Sequence, residues 1–337
     1  MDPFGLKVIF ITCLVFVPLE RLFAMHPEQK AFRRGWANDL IFLLLNGMLI
    51  KLGLLAVIVA SIFAAAQIVP ASVQATVGGL PYWVQIPLVI VLSDLGFYWT
   101  HRMFHAVPWL WRFHAIHHSI EELDWLAATR VHPVDQILTK GVSLVPLFAL
   151  GFSEWAIGVY ALLYQWQSVL IHANLRIGFG PLRWLFASPE FHHWHHSTNR
   201  EARDKNFAGQ LSFLDALFGS LHLPRGQVPT AYGLDQPMPQ RYVLQLIYPF
   251  VGDRIIQSTS DAVVIGETMA GSGSEAEHSA TGGRLASIGL IHRLIQSLKQ
   301  FANNLPWVRK ADHRFLSTSS DHRRIIFVDG ENASLKR

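Results

Sequence analysis

The 337-residue chain predicts an all-α fold: an integral membrane helical bundle with about five spans or half-spans and a cytoplasmic histidine-rich helical cap. Three observations predict it. Apolar residues make up 51% of the chain and charged residues 15%, against roughly 25% charged in a soluble domain. No Lys, Arg, Asp or Glu occurs from Leu52 to Ser93, or from Trp155 to Leu175, and about 20 apolar residues cross a bilayer core. Twelve of the 17 histidines fall between His101 and His222, most of them in three clusters at helical spacing.

The first apolar segment runs from about Phe4 to Ala24. It lacks a clear basic start and a small-residue cleavage site, so it reads as a span rather than a signal peptide. The second, about Asp39 to Ala66, contains Asn46 and Lys51. A lysine there must snorkel or face protein, so this helix is expected to be tilted or partly interfacial. The third, about Tyr82 to Thr100, leads straight into the first histidine cluster. The fourth (about Val134 to Phe152) and fifth (Trp155 to Ile171) are separated only by Gly151 to Glu154 and read as a hairpin.

Charge sets the expected topology. Lys30, Arg33 and Arg34 lie between spans one and two; Arg102, Arg112 and Arg130 follow span three; Arg176, Arg183, Arg200, Arg203 and Lys205 follow span five. The connections at the other end hold no basic residue. Basic loops mark the cytoplasmic side, which puts all three clusters there, at a bacterial inner membrane or an ER-type membrane. A net charge of +4 spread over segments flanking apolar runs gives no basic patch for nucleic acid. The single cysteine, Cys13, excludes an intrachain disulfide and a cysteine metal site.

The clusters are His101 and His105; His114, His117 and His118; and His192, His193, His195 and His196. Residues at i, i+3 and i+4 share a helix face. His101/His105, His114/His117/His118 and His192/His195/His196 therefore each present imidazoles in one direction. His193 is rotated by about 100° from its neighbour and does not read as a ligand. Eight nitrogen donors overfill one zinc, which takes four ligands or three plus an open position. Imidazole suits Zn, Cu, Fe and Ni. Among the clusters there is one Glu-x-x-His pair, Glu190/His193, and no His-Glu-x-x-His, so neither the carboxylate-bridged di-iron bundle nor the zinc-protease pattern fits. The residues read as a membrane-embedded, histidine-rich di-metal centre.

The spacing HX3H, HX2HH, HX2HH resembles the fatty acid hydroxylase/sterol desaturase superfamily. The match runs from about Asp94 to Pro224. It includes the lead-in Ser93 to Arg102, His114 to Ser119, Gly180-Pro181-Leu182, Phe191 to Ser197, Asp204 to Gly209, and Asp215 to Gly219. The block from Gly180 to Gly219 looks most like the branch containing alkylglycerol monooxygenase and bacterial sterol-desaturase-like proteins. The resemblance implies an integral membrane enzyme with two iron ions, using dioxygen to hydroxylate or desaturate a fatty acyl, sterol or ether lipid. It implies His101, His105, His114, His117, His118, His192, His195 and His196 as metal ligands. His172, which closes span five, lies where the family has a further ligand; the alternative is a helix-end histidine facing the last carbonyls.

Other polar residues are expected near the centre. His132, in Arg130-Val-His-Pro, is a ligand or the partner of one. Asp94 lies seven residues before His101 on the same face, and metal-bound histidines commonly donate their other N–H to a carboxylate, so it is a candidate partner. Asp204 and Asn206 are partners of a ligand or helix caps. His26, His222, His278, His292, His313 and His322 are isolated and read as solvated.

The oxygenase domain is expected to fill residues 1–224, followed by an extended segment (225–256) with several prolines. A Ser/Ala/Gly/Thr-rich disordered linker (257–283), an amphipathic surface helix (284–303) and a polar tail (304–337) complete the chain. No His-Pro-Gly-Gly, CxxC or GxGxxG occurs, so an external electron donor (a ferredoxin, cytochrome or reductase) is implied alongside the membrane lipid. Two other classes fit less well. A zinc-dependent membrane hydrolase needs fewer ligands and an evident general base. A histidine-rich metal transporter would place its ligands near the bilayer midplane, not at helix ends.

Overall fold

The computed structural model describes residues 6–252, and these are helical, with two isolated bridges (Ala24–Leu175, Ser197–Tyr232) and no strand among them. The helices are α1 (Leu6–Leu22), α2 (Trp36–Ile68), α3 (Ala71–Gly78), α4 (Tyr82–Ala106), α5 (Pro108–His118), α6 (Pro133–Leu150), α7 (Glu154–His172), α8 (Pro189–His196), α9 (Phe213–Leu217) and α10 (Tyr242–Val251). The chain divides into units Met1–Ile265 and Gly266–Arg337. The linker, amphipathic helix and tail expected at 257–337, with His278, His292, His313 and His322, lie outside the described residues.

All five apolar segments form helices. Two of them, α2 and α4, are long and apolar enough to cross a membrane. The other three of the expected spans or half-spans are shorter or more polar: α1 has 17 residues, and α6 and α7 carry polar side chains along their length. In α6, Asp135, Thr139 and Ser143 turn inward and are buried. The 33 residues of α2 span about 50 Å at 1.5 Å per residue, more than the roughly 30 Å of a hydrocarbon core. Its apolar side chains, such as Leu52, Leu55 and Phe63, are exposed. That is stable where lipid surrounds the helix and costly in water.

The connections fold the bundle. Val107 is extended because Pro108 follows it, so α4 stops at Ala106 and α5 turns back. As one straight helix, the 13 residues from His101 to His114 would span about 20 Å. Instead their Nε2 atoms lie 2.9 Å apart. The hairpin between α6 and α7 forms as expected: Gly151 adopts φ 83°, and Ser153 Oγ accepts from Ala156 N–H to cap α7. At that end Gln85 donates to Gly78 O and Leu80 O and accepts from Ser153 N–H.

Residues 225–256 are not wholly extended: Tyr242–Val251 form α10. Tyr242 packs edge-on against Phe42, its hydroxyl donates to Asn46 Oδ1, and Asn46 donates to Val131 O. Asn46 is thus a bundle contact rather than a polar residue left in lipid.

A buried ion network ties the start of α2 to the segment after α5. Arg33 reaches Asp39 (2.6 Å) and Asp124 (2.7 Å), and Arg130 pairs with Asp39. Arg33 and Arg130 are therefore structural ions, not free loop charges. Removing one partner of such a network strands a buried charge at about 3–5 kcal/mol. Asp39→Ala is expected to lower stability by that order, read as a shift in the unfolding midpoint in detergent, while Arg34→Ala, an exposed pair with Glu121, shifts it little.

Candidate metal centre

Nine histidines from α4, α5, α7 and α8 converge into two adjacent groups. The first holds His101, His105, His114, His118 and His195; the second holds His117, His172, His192 and His196. Within each group one ring nitrogen per residue lies within 4.8 Å of the others. Each helix supplies its histidines at i, i+3 or i+4. α8 is a helix from Pro189, with Ser188 Oγ accepting from Phe191 N–H, so His192, His195 and His196 turn one way.

The outer ring nitrogens fix the tautomers. His101 Nδ1 donates to Phe207 O (2.7 Å), His117 Nδ1 to Arg130 O (3.1 Å), His172 Nδ1 to Ser168 O (2.6 Å) and His195 Nδ1 to Lys205 O (2.8 Å). His114 Nδ1 donates to Asp135 (2.7 Å) and His105 Nδ1 to Asp204 (3.1 Å). A carbonyl or carboxylate there requires the proton on Nδ1, which leaves Nε2 as a lone pair.

In His101–His114 and His117–His172 two such lone pairs face each other, and His118, His192 and His196 also turn Nε2 toward a neighbour's Nε2. The Nε2···Nε2 distances are 2.9 Å for His101–His114, 3.1 Å for His114–His118 and 3.0 Å for His118–His195. They are 3.0 Å for His117–His172 and His172–His192, and 3.1 Å for His192–His196. His105 Nε2 is buried with no hydrogen-bond partner. Protonation does not relieve the clash. Burial holds His114, His117, His118, His192, His195 and His196 well below the usual imidazole range, and the neighbouring imidazoles add to the effect.

A cation between the lone pairs does relieve it. The donor set in both groups is all imidazole, which suits a transition-metal cation.

Residues 86–220 match the fatty acid hydroxylase family model. The chain is 32% identical to ornithine lipid hydroxylase OlsE of Rhizobium tropici over 50% of its length and 51% of that protein. It is 37% identical to human alkylglycerol monooxygenase over 43% of its length and 32% of that protein. It thus spans about half or less of these relatives. A putative methylsterol monooxygenase of Dictyostelium discoideum is 22% identical over 64% of this chain and 78% of that protein. No solved structure matches.

Within the matched region the other expected residues have different places. His132 is not near the groups: its Nδ1 accepts from Val134 N–H, capping α6, and its Nε2 donates to Leu246 O. Both nitrogens are spent. Asp94 touches no histidine; its carboxylate accepts from Gly209, Gln210 and Leu211 N–H. Asn206 bonds Phe191 O and the backbone of His222. Of the four, Asp204 alone contacts a histidine of the groups, and the shared proton lowers its carboxyl from the usual value.

Asp94, Asp204 and Asn206 serve one loop. Residues 204–211 form a loop whose carbonyls at Lys205 and Phe207 aim His195 and His101. Asp204 and Asn206 take left-handed conformations (φ 55° and 60°) that Asp and Asn tolerate better than most residues. Asp215 accepts from Phe207 and Ala208 N–H, and Asp94 holds the next three amides. A side chain at Gly209 would crowd Asp94 and Phe97.

Asp135 is the partner that sequence reasoning missed. The argument applied to Asp94, a carboxylate in an apolar span needing a partner, held equally for it. The carbonyl partners carry no side-chain signal at all. Because Asp135 is buried and Asp204 is largely exposed, Asp135→Asn is expected to weaken metal binding by about 10–100-fold, and Asp204→Asn by less, in a chelator competition.

His193 points out of the groups. Its Nε2 donates to Ala173 O (3.0 Å), and its Nδ1 accepts from Tyr232 OH (2.8 Å). His26 is not simply solvated, since its Nε2 meets the same hydroxyl.

Proposed function

We propose that the chain is a membrane-bound di-iron oxygenase that hydroxylates a lipid C–H bond with dioxygen and electrons from an external donor. The observation that carries this is the pair of adjacent, all-imidazole groups, with six of the nine Nδ1 atoms tied to oxygen and Nε2 atoms turned inward. His101, His105, His114, His118 and His195 would hold one iron; His117, His172, His192 and His196 would hold the other. Bound iron would supply reduction and splitting of dioxygen, chemistry that this chain's side chains lack. The chain's own part is to orient the imidazoles through Asp135, Asp204 and the four carbonyls, and to keep the centre within protein. Hydroxylation is favoured over desaturation because the relatives include proteins named lipid hydroxylase and monooxygenase. Exposed basic residues such as Lys30, Arg34, Arg176 and Arg200 flank the histidine-bearing end, which supports a cytoplasmic placement.

The test is metal analysis of chain purified without oxygen, joined to lipid mass spectrometry of a host with and without the gene. About two irons per chain and a lipid heavier by one oxygen are expected. One zinc per chain in an active preparation overturns the di-iron reading. Metal supply must be controlled, because affinity alone does not select iron over zinc.

A further inference from the structure

The metal centre lies between two cavities of unlike size. The inner one, about 40 Å³, sits among α4, α6 and α7, lined by Phe97, Thr139, Tyr164 and Ser168 beside the histidines. At roughly 10–15 Å³ per water-sized probe, it takes a few small molecules and no hydrocarbon chain. The outer one is a cleft of about 490 Å³, whose floor is His105, His118, His195 and His196. That size lies in the range of ligand sites, about 300–1,000 Å³.

The cleft is amphipathic. Trp111, Ala115, Leu234, Met238 and Tyr248 form one apolar cluster along one wall. Trp111 stacks near the floor, 5.1 Å from the His105 ring and 5.4 Å from the His118 ring. The rest of the rim is polar: Thr198, Arg203, Asp204, Asp235 and Gln236. Arg203 and Asp235 already pair at 2.8 Å, so the rim offers both signs of charge and hydrogen bonds rather than an excess of either. Beside the apolar wall, Val243 and Phe250 of α10 and Trp109 of α5 are exposed, an apolar approach suited to the bilayer interface.

We propose that this outer cleft, not the α4–α6–α7 side, seats the lipid. One hydrocarbon chain lies on the Trp111–Met238–Tyr248 wall, and a hydrogen-bonding head without net charge lies at the Arg203–Asp235–Gln236 rim. The carbon presented to His105, His118, His195 and His196 is the one oxidised. This rests on the lipid-oxygenase reading, but its test is read without turnover.

The full chain in phosphatidylcholine nanodiscs is photolabelled with lysophosphatidylcholine carrying a mid-chain diazirine, and the labelled residues are mapped by mass spectrometry. Label is expected within 108–118 and 233–248. Leu234→Trp fills the cleft from the apolar wall and the exposed Thr198→Trp from the polar rim; each is expected to cut labelling by roughly tenfold, about 1.4 kcal/mol, with metal content unchanged. Palmitate is expected to compete more weakly than unlabelled lysophosphatidylcholine. Label on 136–139 and 164–168, or label indifferent to both variants, overturns the assignment of the cleft. Equal competition by palmitate overturns the uncharged head. A chain that labels in the cleft but never oxidises lipid defeats the oxygenase reading and leaves the binding site standing.

Discussion

His192→Ala is expected to abolish turnover and strip metal from the four-histidine group, while His193→Ala keeps both metal and activity. The two residues are adjacent, equally buried and chemically identical, so only direction separates them. His192 Nε2 lies 3.0 Å from His172 Nε2 and 3.1 Å from His196 Nε2, and its loss opens the donor set in the middle. His193 instead ties α8 to the end of α7 through Ala173 O and to Tyr232. Its removal leaves Ala173 O short of a donor, while the Tyr232 hydroxyl keeps His26, at a cost of about 1–3 kcal/mol in stability. Metal content and unfolding midpoint measured on the same preparations distinguish the outcomes. Metal retained by His192→Ala and lost by His193→Ala would require rebuilding the group around His193.

Acidification is expected to unfold the metal-free protein between about pH 6.5 and pH 5, and bound metal to move the transition lower. Outside the spans, His114, His117, His118, His192, His195 and His196 are held neutral chiefly by burial, and His193 is pushed down to about 3 by the same cause. Their folded values lie below the unfolded value of about 6.5. As pH falls through 6.5, the unfolded chain takes up protons that the folded chain refuses, so stability drops until the folded values are reached. Each such histidine contributes a slope of about 1.4 kcal/mol per pH unit, and several titrating together make the fall steep. Metal binding demands neutral imidazoles and adds its own stabilisation. A circular-dichroism titration with and without iron checks it; an apo-protein stable to pH 4 would contradict the burial of the groups.

The sequence by itself determined the helices, because apolar runs without charge and i, i+3, i+4 histidines are local patterns with a single geometric meaning. It separated His193 from its neighbours for the same reason, and Gly151 to Glu154 marked the hairpin. Its resemblance to a known family named His172, which no local pattern singles out. What it could not decide was which distant groups meet. Asp94, Asp204, Asn206 and His132 looked alike as polar residues near the boxes, yet one holds a loop, one contacts His105, one pins α8 and one caps α6. Asp135 looked like a charge at the start of a span and proved to be the partner of His114. Arg33 and Arg130 looked like loop charges and proved to be paired inside the fold. Carbonyls of Arg130, Ser168, Lys205 and Phe207 orient four imidazoles, and a carbonyl is present at every residue, so no side chain could announce them. The division of nine histidines into five and four, and the unequal cavities on either side, follow from the packing of α4, α5, α7 and α8. Hydrogen-bond partners are chosen by three-dimensional proximity and by the need to satisfy every buried polar group. That choice is made only once the helices have docked.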